Sequence, residues 1–197
     1  MAGLDARDLA CQCQCARVRR AGHIIGQSGQ PRLWRRRAAA GSGIEDANTP
    51  MLDHAAIAAC IPHAGRMCLL DRVVDWDEHG IRCAALSHRD RDNPLREAGG
   101  LPVWAGIEYA AQAAAVHGAL MHPRSAPRVG VLAALRNVNA ACEWLDRIGG
   151  ELLLGATLRH ADAAGAIYGF EAYCGESRLL SGQFTLMFPA ETQEPTR

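Results

Sequence analysis

One long apolar stretch, LPVWAGIEYAAQAAAVHGALMH over residues 101–122, constrains the fold of this chain more than any other segment. Its larger apolar residues recur at steps of three and four, which is the period of an α-helix. Pro102 suits a first helical turn, where its missing N–H costs nothing. The stretch therefore predicts one long helix over 101–122, most of whose surface other parts of the chain must cover.

Two polar residues interrupt this apolar surface. Glu108 and Gln112 stand four positions apart, so they lie one turn from each other on the same face of the predicted helix. The alanines around them allow other backbone to come close. A carboxyl group enclosed in this way is costly unless it is paired or used in chemistry. Glu108 is therefore a candidate catalytic residue, and the alternative is an exposed or purely structural carboxylate.

The rest of the main body has the pattern of a short helix and several strands. We predict a helix over 53–60, capped by Asp53 and ended before Pro62. The predicted strands cover 67–77, 81–87, 129–139, 151–161, 166–174 and 178–188, joined by turns that contain glycine and by a charged loop over 88–94. A single long helix and one antiparallel sheet pack most economically when the sheet curls around the helix. This predicts an α+β hotdog fold over residues 51–197.

Residues 1–50 show no sustained hydrophobic period, and they hold CQCQC and clusters of arginine. We expect a disordered extension, or a start assigned upstream of the real one at Met51. A structural zinc site needs four ligands, and only His23 stands near the three cysteines, so we expect no metal. The chain also lacks the glycine motifs of phosphate and dinucleotide sites, so we expect no cofactor.

Charge and composition narrow the class of function. Residues 51–197 carry 13 arginines against 17 acidic residues, which argues against nucleic acid as the main partner. No uncharged apolar run reaches roughly 18 residues, so we expect no membrane span. The eight cysteines form no disulfide framework, which favours a reducing cytoplasm.

Two motifs resemble a known family. IPHAGRMCLLDRVVDWD, over 61–77, resembles the opening of the hotdog β-hydroxyacyl-[acyl carrier protein] dehydratases. LPVWAGIEYAAQ, over 101–112, resembles their central helix, which ends in E-x-x-A-Q. A subgroup, the dehydratase-like proteins of aryl-polyene lipid gene clusters, is closer still, because it shares the L-P-x-W before the helical glutamate. The resemblance covers about residues 52–189, essentially the whole main body.

The resemblance implies a chemistry, elimination of water from a 3-hydroxyacyl chain held on the phosphopantetheine of an acyl carrier protein. The family uses a loop histidine and the helical acid, placed across a dimer interface, to move the protons. The helix N-terminus helps to polarise the thioester carbonyl. Glu108 and Gln112 match the family's helical residues. The resemblance also implies a dimer, with a second copy or with another hotdog subunit, that joins two sheets edge to edge.

One family feature is missing, because the loop before the helix reads NPLREAGGLPVW and holds no histidine. Gly99 and Gly100 stand where the family has it. His63 and His88 are the candidate replacements, although the family has a histidine like His63 in a peripheral role. Arg96 has the permanent charge to bind a carbonyl or a carrier phosphate, but it cannot act as a base.

We therefore assign catalysis to Glu108 and His63, and substrate binding to Gln112, Trp104, Gly106 and Arg96. His117, further along the helix, we expect to serve packing or to interact with the dipole at the C-terminal end of the helix. Two other functions stay open. In a hotdog thioesterase Glu108 would activate water, and a degenerate hotdog subunit would pair with an active dehydratase without catalysing a reaction.

Overall fold

The computed structural model describes residues 52–122 and 130–189. The predicted extension over residues 1–50 and the proposed start at Met51 lie outside the described residues. The elements in chain order are β1 (Leu52–Asp53), α1 (His54–Cys60), β2 (Arg72–Asp77), β3 (Gly80–Ala85), α2 (Ala105–Met121), β4 (Val131–Ala140), β5 (Leu152–Ala161), β6 (Gly165–Cys174) and β7 (Ser177–Met187). Single 3-10 turns cover Gly65–Met67 and Ser87–Arg89.

The strands form one antiparallel sheet in the order β1-β2-β3-β5-β6-β7-β4. Its central strands β3, β5 and β6 pack on the long helix α2. Alanines on α2, among them Ala110 and Ala113, are fully buried and let the sheet approach closely. This is the hotdog arrangement that the sequence predicts, with the sheet wrapped around one central helix.

Aromatic side chains from the sheet fill the space that the small helix residues leave. Phe170 and Phe184 stack with ring centroids 5.4 Å apart, and both are buried. Burying one such side chain stabilises the fold by about 1.5–3 kcal/mol. Gly182 faces this pair, where a Cβ would meet the Cζ of Phe170 at 2.8 Å. The absence of a side chain at Gly182 is therefore part of the core packing.

The ends of several elements differ from the predictions. The predicted cap of α1 is confirmed, since the Asp53 carboxylate accepts the Ala56 N–H at 2.9 Å. Helix α2, however, begins at Ala105 instead of Leu101. The carbonyl of Leu101 accepts the N–H of Leu145, and the N–H of Val103 donates to the carbonyl of Glu143, so this stretch pairs with the connection between β4 and β5 before the helix begins. The first predicted strand is also shorter, because a 3-10 turn occupies its beginning and β2 starts at Arg72.

His117 ties the far half of α2 to the sheet. Its Nε2 donates to the backbone carbonyl of Asp77 at 2.8 Å, and its Nδ1 accepts from the Tyr168 hydroxyl at 2.9 Å. Burial lowers the pKa of His117, so the ring is neutral and this tautomer is the one that satisfies both partners. The packing role expected for His117 is confirmed.

Candidate functional site

A histidine and a glutamate meet near the start of α2. His63 follows Pro62 in the connection between α1 and β2, where Ile61 is extended as the residue before a proline prefers. Glu108 lies in the first turn of α2. The Nε2 of His63 is 3.1 Å from the Oε1 of Glu108, and the two side chains are 31% and 34% exposed. The pair is therefore formed within one chain and can be reached from solvent.

Gln112 holds this pair from its buried side. It is fully buried, and its Nε2 donates to the Oε1 of Glu108 at 3.0 Å and to the carbonyl of Met67 at 2.7 Å. Its Oε1 accepts the N–H of Leu69 at 2.9 Å. These partners allow only one orientation of the amide. Gln112 thus orients Glu108 and fixes the segment that follows His63.

The contact with Glu108 determines which nitrogen of His63 lacks a partner. In the neutral ring the Nε2–H donates to the Glu108 Oε1, which also accepts an N–H from Gln112. The Nδ1 of His63 then carries a lone pair. This atom is buried and has no hydrogen-bond partner in the described parts of the chain. A buried unpartnered acceptor is unusual in a folded protein and marks a position where a ligand can donate.

A second polar network holds the loop before the helix. The Tyr109 hydroxyl, which is buried, lies 2.8 Å from the Ser87 Oγ and accepts from the Asn93 Nδ2 at 2.8 Å. Ser87 in turn donates to the carbonyl of Leu69 at 2.6 Å. Burial raises the pKa of Tyr109 to about 12, so the phenol stays protonated. Sequence reasoning missed this network, because Ser87 gave no signal beyond ending a predicted strand, and Asn93 gave none beyond its place in a charged loop.

Other predicted residues stand apart from the His63–Glu108 pair. The Arg96 guanidinium is bound to the Asp146 carboxylate at 2.7 Å. The side chain of His88 is fully buried, with its Nε2 3.3 Å from the carbonyl of Ile148, and burial lowers its pKa. Neither Arg96 nor His88 is thus placed beside Glu108 by a described contact.

The start of α2 carries two more predicted binding residues. Trp104 is 54% exposed, one turn before Glu108 on the same side of the helix. Gly106 is buried, and a Cβ there would meet the Cδ2 of Leu180 at 2.9 Å. The N–H of Gly106 donates to the carbonyl of Val103 at 3.0 Å, and Ala105 and Ile107 bond in the same way three residues back. These three amides are therefore already bonded in this structure.

Gly99 and Gly100, which the sequence resemblance sets in the place of the family's loop histidine, leave no space for a side chain. A Cβ at Gly99 would lie 2.4 Å from the Cη2 of Trp144. At Gly100 it would lie 2.8 Å from the Asp146 Oδ1, and the φ of Gly100 is +135°. A histidine at either position would have to displace Trp144 or Asp146.

Two features are absent from the described residues, a metal-ligand cluster and a membrane-spanning helix. No group of three or more histidine, cysteine, aspartate or glutamate side chains in residues 52–122 and 130–189 is arranged to hold a metal ion. Within the same ranges no helix has the length and apolar character that crossing a membrane requires.

Comparisons with known proteins agree with this fold. A family model described as ApeP-like, ApeP dehydratase, matches residues 55–197. The dehydratase heterocomplex ApeI:P from Xenorhabdus doucetiae contains a chain that is 24% identical, with a TM-score of 0.61, and the match covers 69% of this chain and 92% of that one. No curated protein matches the sequence.

Two further solved structures are more distant. AziG from S. sahachiroi is 15% identical, with a TM-score of 0.49, and the match covers 66% of this chain and 97% of that one. A mutant of the thioesterase PA1618 from Pseudomonas aeruginosa is 12% identical, with a TM-score of 0.43, and the match covers 60% of this chain and 81% of that one.

Proposed function

The chain belongs to the ApeP-like dehydratase family, and on that premise we propose that it is a hydro-lyase acting on 3-hydroxyacyl thioesters. The substrate would be an acyl chain on the phosphopantetheine of an acyl carrier protein, in the biosynthesis of a fatty acid or an aryl-polyene type of lipid. The reaction would take place in the cytoplasm. The observation that carries the proposal is the His63–Glu108 pair with its open Nδ1.

The pair has the groups that a β-elimination requires. His63 Nδ1 would take a proton from C2 of the acyl chain, and the electron pair left behind would form the C2–C3 double bond as the C3–O bond breaks. Glu108, 3.1 Å from the Nε2, stabilises the imidazolium that forms. The Nε2 proton of the imidazolium would then pass to Glu108, and Glu108 would give it to the departing hydroxyl, which leaves as water. Glu108 would end as a carboxylate and His63 as the neutral Nδ1–H tautomer, which would return to the Nε2–H tautomer by exchanging protons with water.

The remaining site residues are given supporting roles. Gln112 is bonded to Glu108, so it would orient the acid and not contact the acyl chain directly. Trp104, exposed one turn before Glu108, would cover the thioester end of the substrate. Gly106 would let the chain pass close to the first helical turn. Arg96 would reach a carrier phosphate only by leaving Asp146.

We also propose a hotdog partner at the β4 edge of the sheet. Within residues 52–122 and 130–189, strand β4 has a neighbouring strand only on its β7 side, and it exposes Val131, Leu132 and Leu135 next to Met187 of β7. An apolar edge strand is a template for pairing with another sheet. The solved ApeI:P structure is a dehydratase heterocomplex, which supports a different hotdog subunit as the partner, and a second copy of this chain is the alternative.

The partner prediction can be tested at Leu132. We expect Leu132→Arg to shift the sedimentation coefficient of the full chain to that of a monomer at micromolar concentration, because the charge would be buried against the partner edge. Leu86→Arg is the matched control, since Leu86 is also exposed and lies beyond the end of β3. Equal association of Leu132→Arg and Leu86→Arg would remove the β4 edge as the interface.

A second candidate function rests on Gly99 and Gly100. Because these glycines fill the place of the loop histidine against Trp144, the chain has the features of a subunit that supports an active dehydratase without catalysing a reaction itself. Incubation with a 3-hydroxyacyl carrier protein, followed by mass analysis, separates the possibilities. Loss of water supports the dehydratase, release of the free acid identifies a thioesterase, and an unchanged substrate favours the non-catalytic subunit.

A further inference from the structure

The segment that leads into α2 is held by a distant connection. Residues 99–103 and 143–147, together called the entry clip, run side by side before the helix begins. The N–H of Val103 donates to the carbonyl of Glu143 at 2.9 Å, and the N–H of Leu145 donates to the carbonyl of Leu101 at 2.8 Å. Leu101 and Leu145 are fully buried. The clip therefore joins the start of the helix to the β4–β5 connection.

Asp146 closes the entry clip with its carboxylate. Its Oδ1 accepts the N–H of Leu101 at 3.1 Å, and its Oδ2 accepts from the Arg96 guanidinium at 2.7 Å. The Asp146 side chain is only 14% exposed. Hydrogen bonds of a carboxylate to a guanidinium are among the stronger ones in proteins. One side chain thus holds both the loop that carries Arg96 and the residue where the helix entry begins.

The ring of Trp144 supports the same arrangement from the other side. It contacts the backbone of Gly99 so closely that a Cβ there would clash. The Arg147 guanidinium lies 5.2 Å from the centroid of the Trp144 ring and 3.5 Å from the carbonyl oxygen of Gly99. The loop before α2 is therefore fixed to the β4–β5 connection by packing as well as by charge.

The entry clip bears on Glu108 because that residue lies in the very next turn. The first amides of α2 bond to carbonyls of residues 102–104, so the clip sets where the helix starts. Gln112 holds the Glu108 carboxylate from below, but the backbone of Glu108 takes its position from the helix start. A shift of the start would change the distance between Glu108 and His63.

We propose that Asp146 is a positioning residue, which holds the helix entry so that Glu108 meets the Nε2 of His63. The inference rests on the proposed function for its catalytic consequence, but not for its structural one. Without Asp146, Arg96 would lose its bound carboxylate and Leu101 an acceptor. The first turn of α2 would then sample several positions, and the His63–Glu108 contact would be made only part of the time.

The test compares Asp146→Ala with Asp162→Ala in the full chain. Asp162 is the control, because its carboxylate likewise accepts backbone N–H groups, at 2.8 and 3.0 Å, but in the β5–β6 turn. The first readout is the nitrogen-15 spectrum of the His63 ring. We expect the Nε2–H tautomer in the unmodified chain and in Asp162→Ala, and a mixture of tautomers in Asp146→Ala.

The second readout is turnover of the 3-hydroxyacyl carrier substrate. We expect Asp146→Ala to lower kcat by about tenfold with little change in KM, since small misplacements of a catalytic group cost rate more than binding. In the Glu108→Gln background, the same change should lower kcat no further, because Asp146 acts through Glu108. An additional loss there would mean that Asp146 has only a general structural role.

If Asp146→Ala does not fold, Asp146→Asn takes its place, because it keeps an oxygen for Leu101 and loses the charge toward Arg96. A His63 spectrum in these variants equal to that of Asp162→Ala would overturn the inference. If the unmodified chain turns over no substrate, the proposed function fails, and the His63 spectra still decide whether Asp146 positions the pair.

Discussion

The enclosed and the exposed polar side chains of α2 are used in opposite ways. In the half of the helix surface that the rest of the fold encloses, His117, Tyr109 and Gln112 are fully buried and have partners for their polar atoms. At the outer side of the first turn, Glu108 and His63 are about one-third exposed, and the His63 Nδ1 has no partner in the described residues.

This difference separates structural polar groups from reactive ones. A satisfied buried network rigidifies the core at little cost. An unsatisfied buried atom lowers stability and persists where a ligand uses it. Substitutions in the two regions should therefore have different consequences, with large losses of activity in the first turn and large losses of stability in the enclosed half.

The largest expected effect is that of Glu108→Gln on turnover. The amide keeps the shape and the contact with Gln112 but cannot exchange a proton. We expect water elimination to fall by about two orders of magnitude or more, which is typical for the loss of a general acid. The melting temperature should stay close to that of the unmodified chain. Full activity in Glu108→Gln would show that the carboxyl is only structural.

The companion change, His63→Ala, addresses the missing loop histidine. We expect a loss of turnover of about a hundredfold, because no base would remain at the open position. The free energy of unfolding should change by less than about 1 kcal/mol, since the ring is partly exposed and its Nδ1 makes no bond to lose. Kinetics and denaturant unfolding of one preparation measure both. A fully active His63→Ala would return the histidine to a peripheral role.

Gln112→Leu should act mainly on stability, in contrast to Glu108→Gln and His63→Ala, which should act mainly on turnover. Leucine has a similar size but leaves the N–H of Leu69 and the carbonyl of Met67 without their partner. Each unsatisfied buried group costs about 1–3 kcal/mol. We therefore expect the free energy of unfolding to fall by about 2–4 kcal/mol in urea titrations. A stability equal to that of the unmodified chain would show that water satisfies both groups.

Contacts between residues that are close in the sequence could be predicted from it, whereas contacts between distant residues could not. The helical period places Glu108 and Gln112 on one face, and their hydrogen bond follows from local geometry. The overall hotdog fold follows from the order of elements. The pairing of His63 with Glu108 depends on how the segment after α1 returns to α2, which spacing does not determine.

The entry clip is a part of the structure that the sequence did not predict. The apolar period runs from Leu101 onward and predicts a helix there, but the actual backbone pairs with residues 143–145. Asp146 carries no signal in the sequence, since an acidic residue in a loop is ordinary. Its role becomes visible only when Leu101 and Arg96 are seen to share its carboxylate. Non-local backbone pairing overrides local periodicity at this point.

The smallest expected effect is a loss of folding stability at acidic pH, and it tests the enclosed half of the helix. Burial lowers the pKa of His117 and His88. In the unfolded chain both rings titrate near pH 6.5, so above that pH neither state binds a proton and their contribution to stability is complete. As the pH falls below about 6.5 toward the lower folded pKa, the unfolded chain binds protons that the folded chain does not, and stability is lost.

Linkage limits this loss to about 1.4 kcal/mol per pH unit for each histidine. We expect His117→Gln to lose less stability than the unmodified chain between pH 7.5 and 5.5, because one of the two titrating rings is gone. His160→Gln is the control, since His160 is exposed in the β5–β6 region and has no buried contacts to lose. Urea unfolding at both pH values gives the comparison. An equal loss in His117→Gln and the unmodified chain would mean that His117 takes up its proton without leaving its partners, and that the enclosed half is less rigid than its hydrogen bonds indicate.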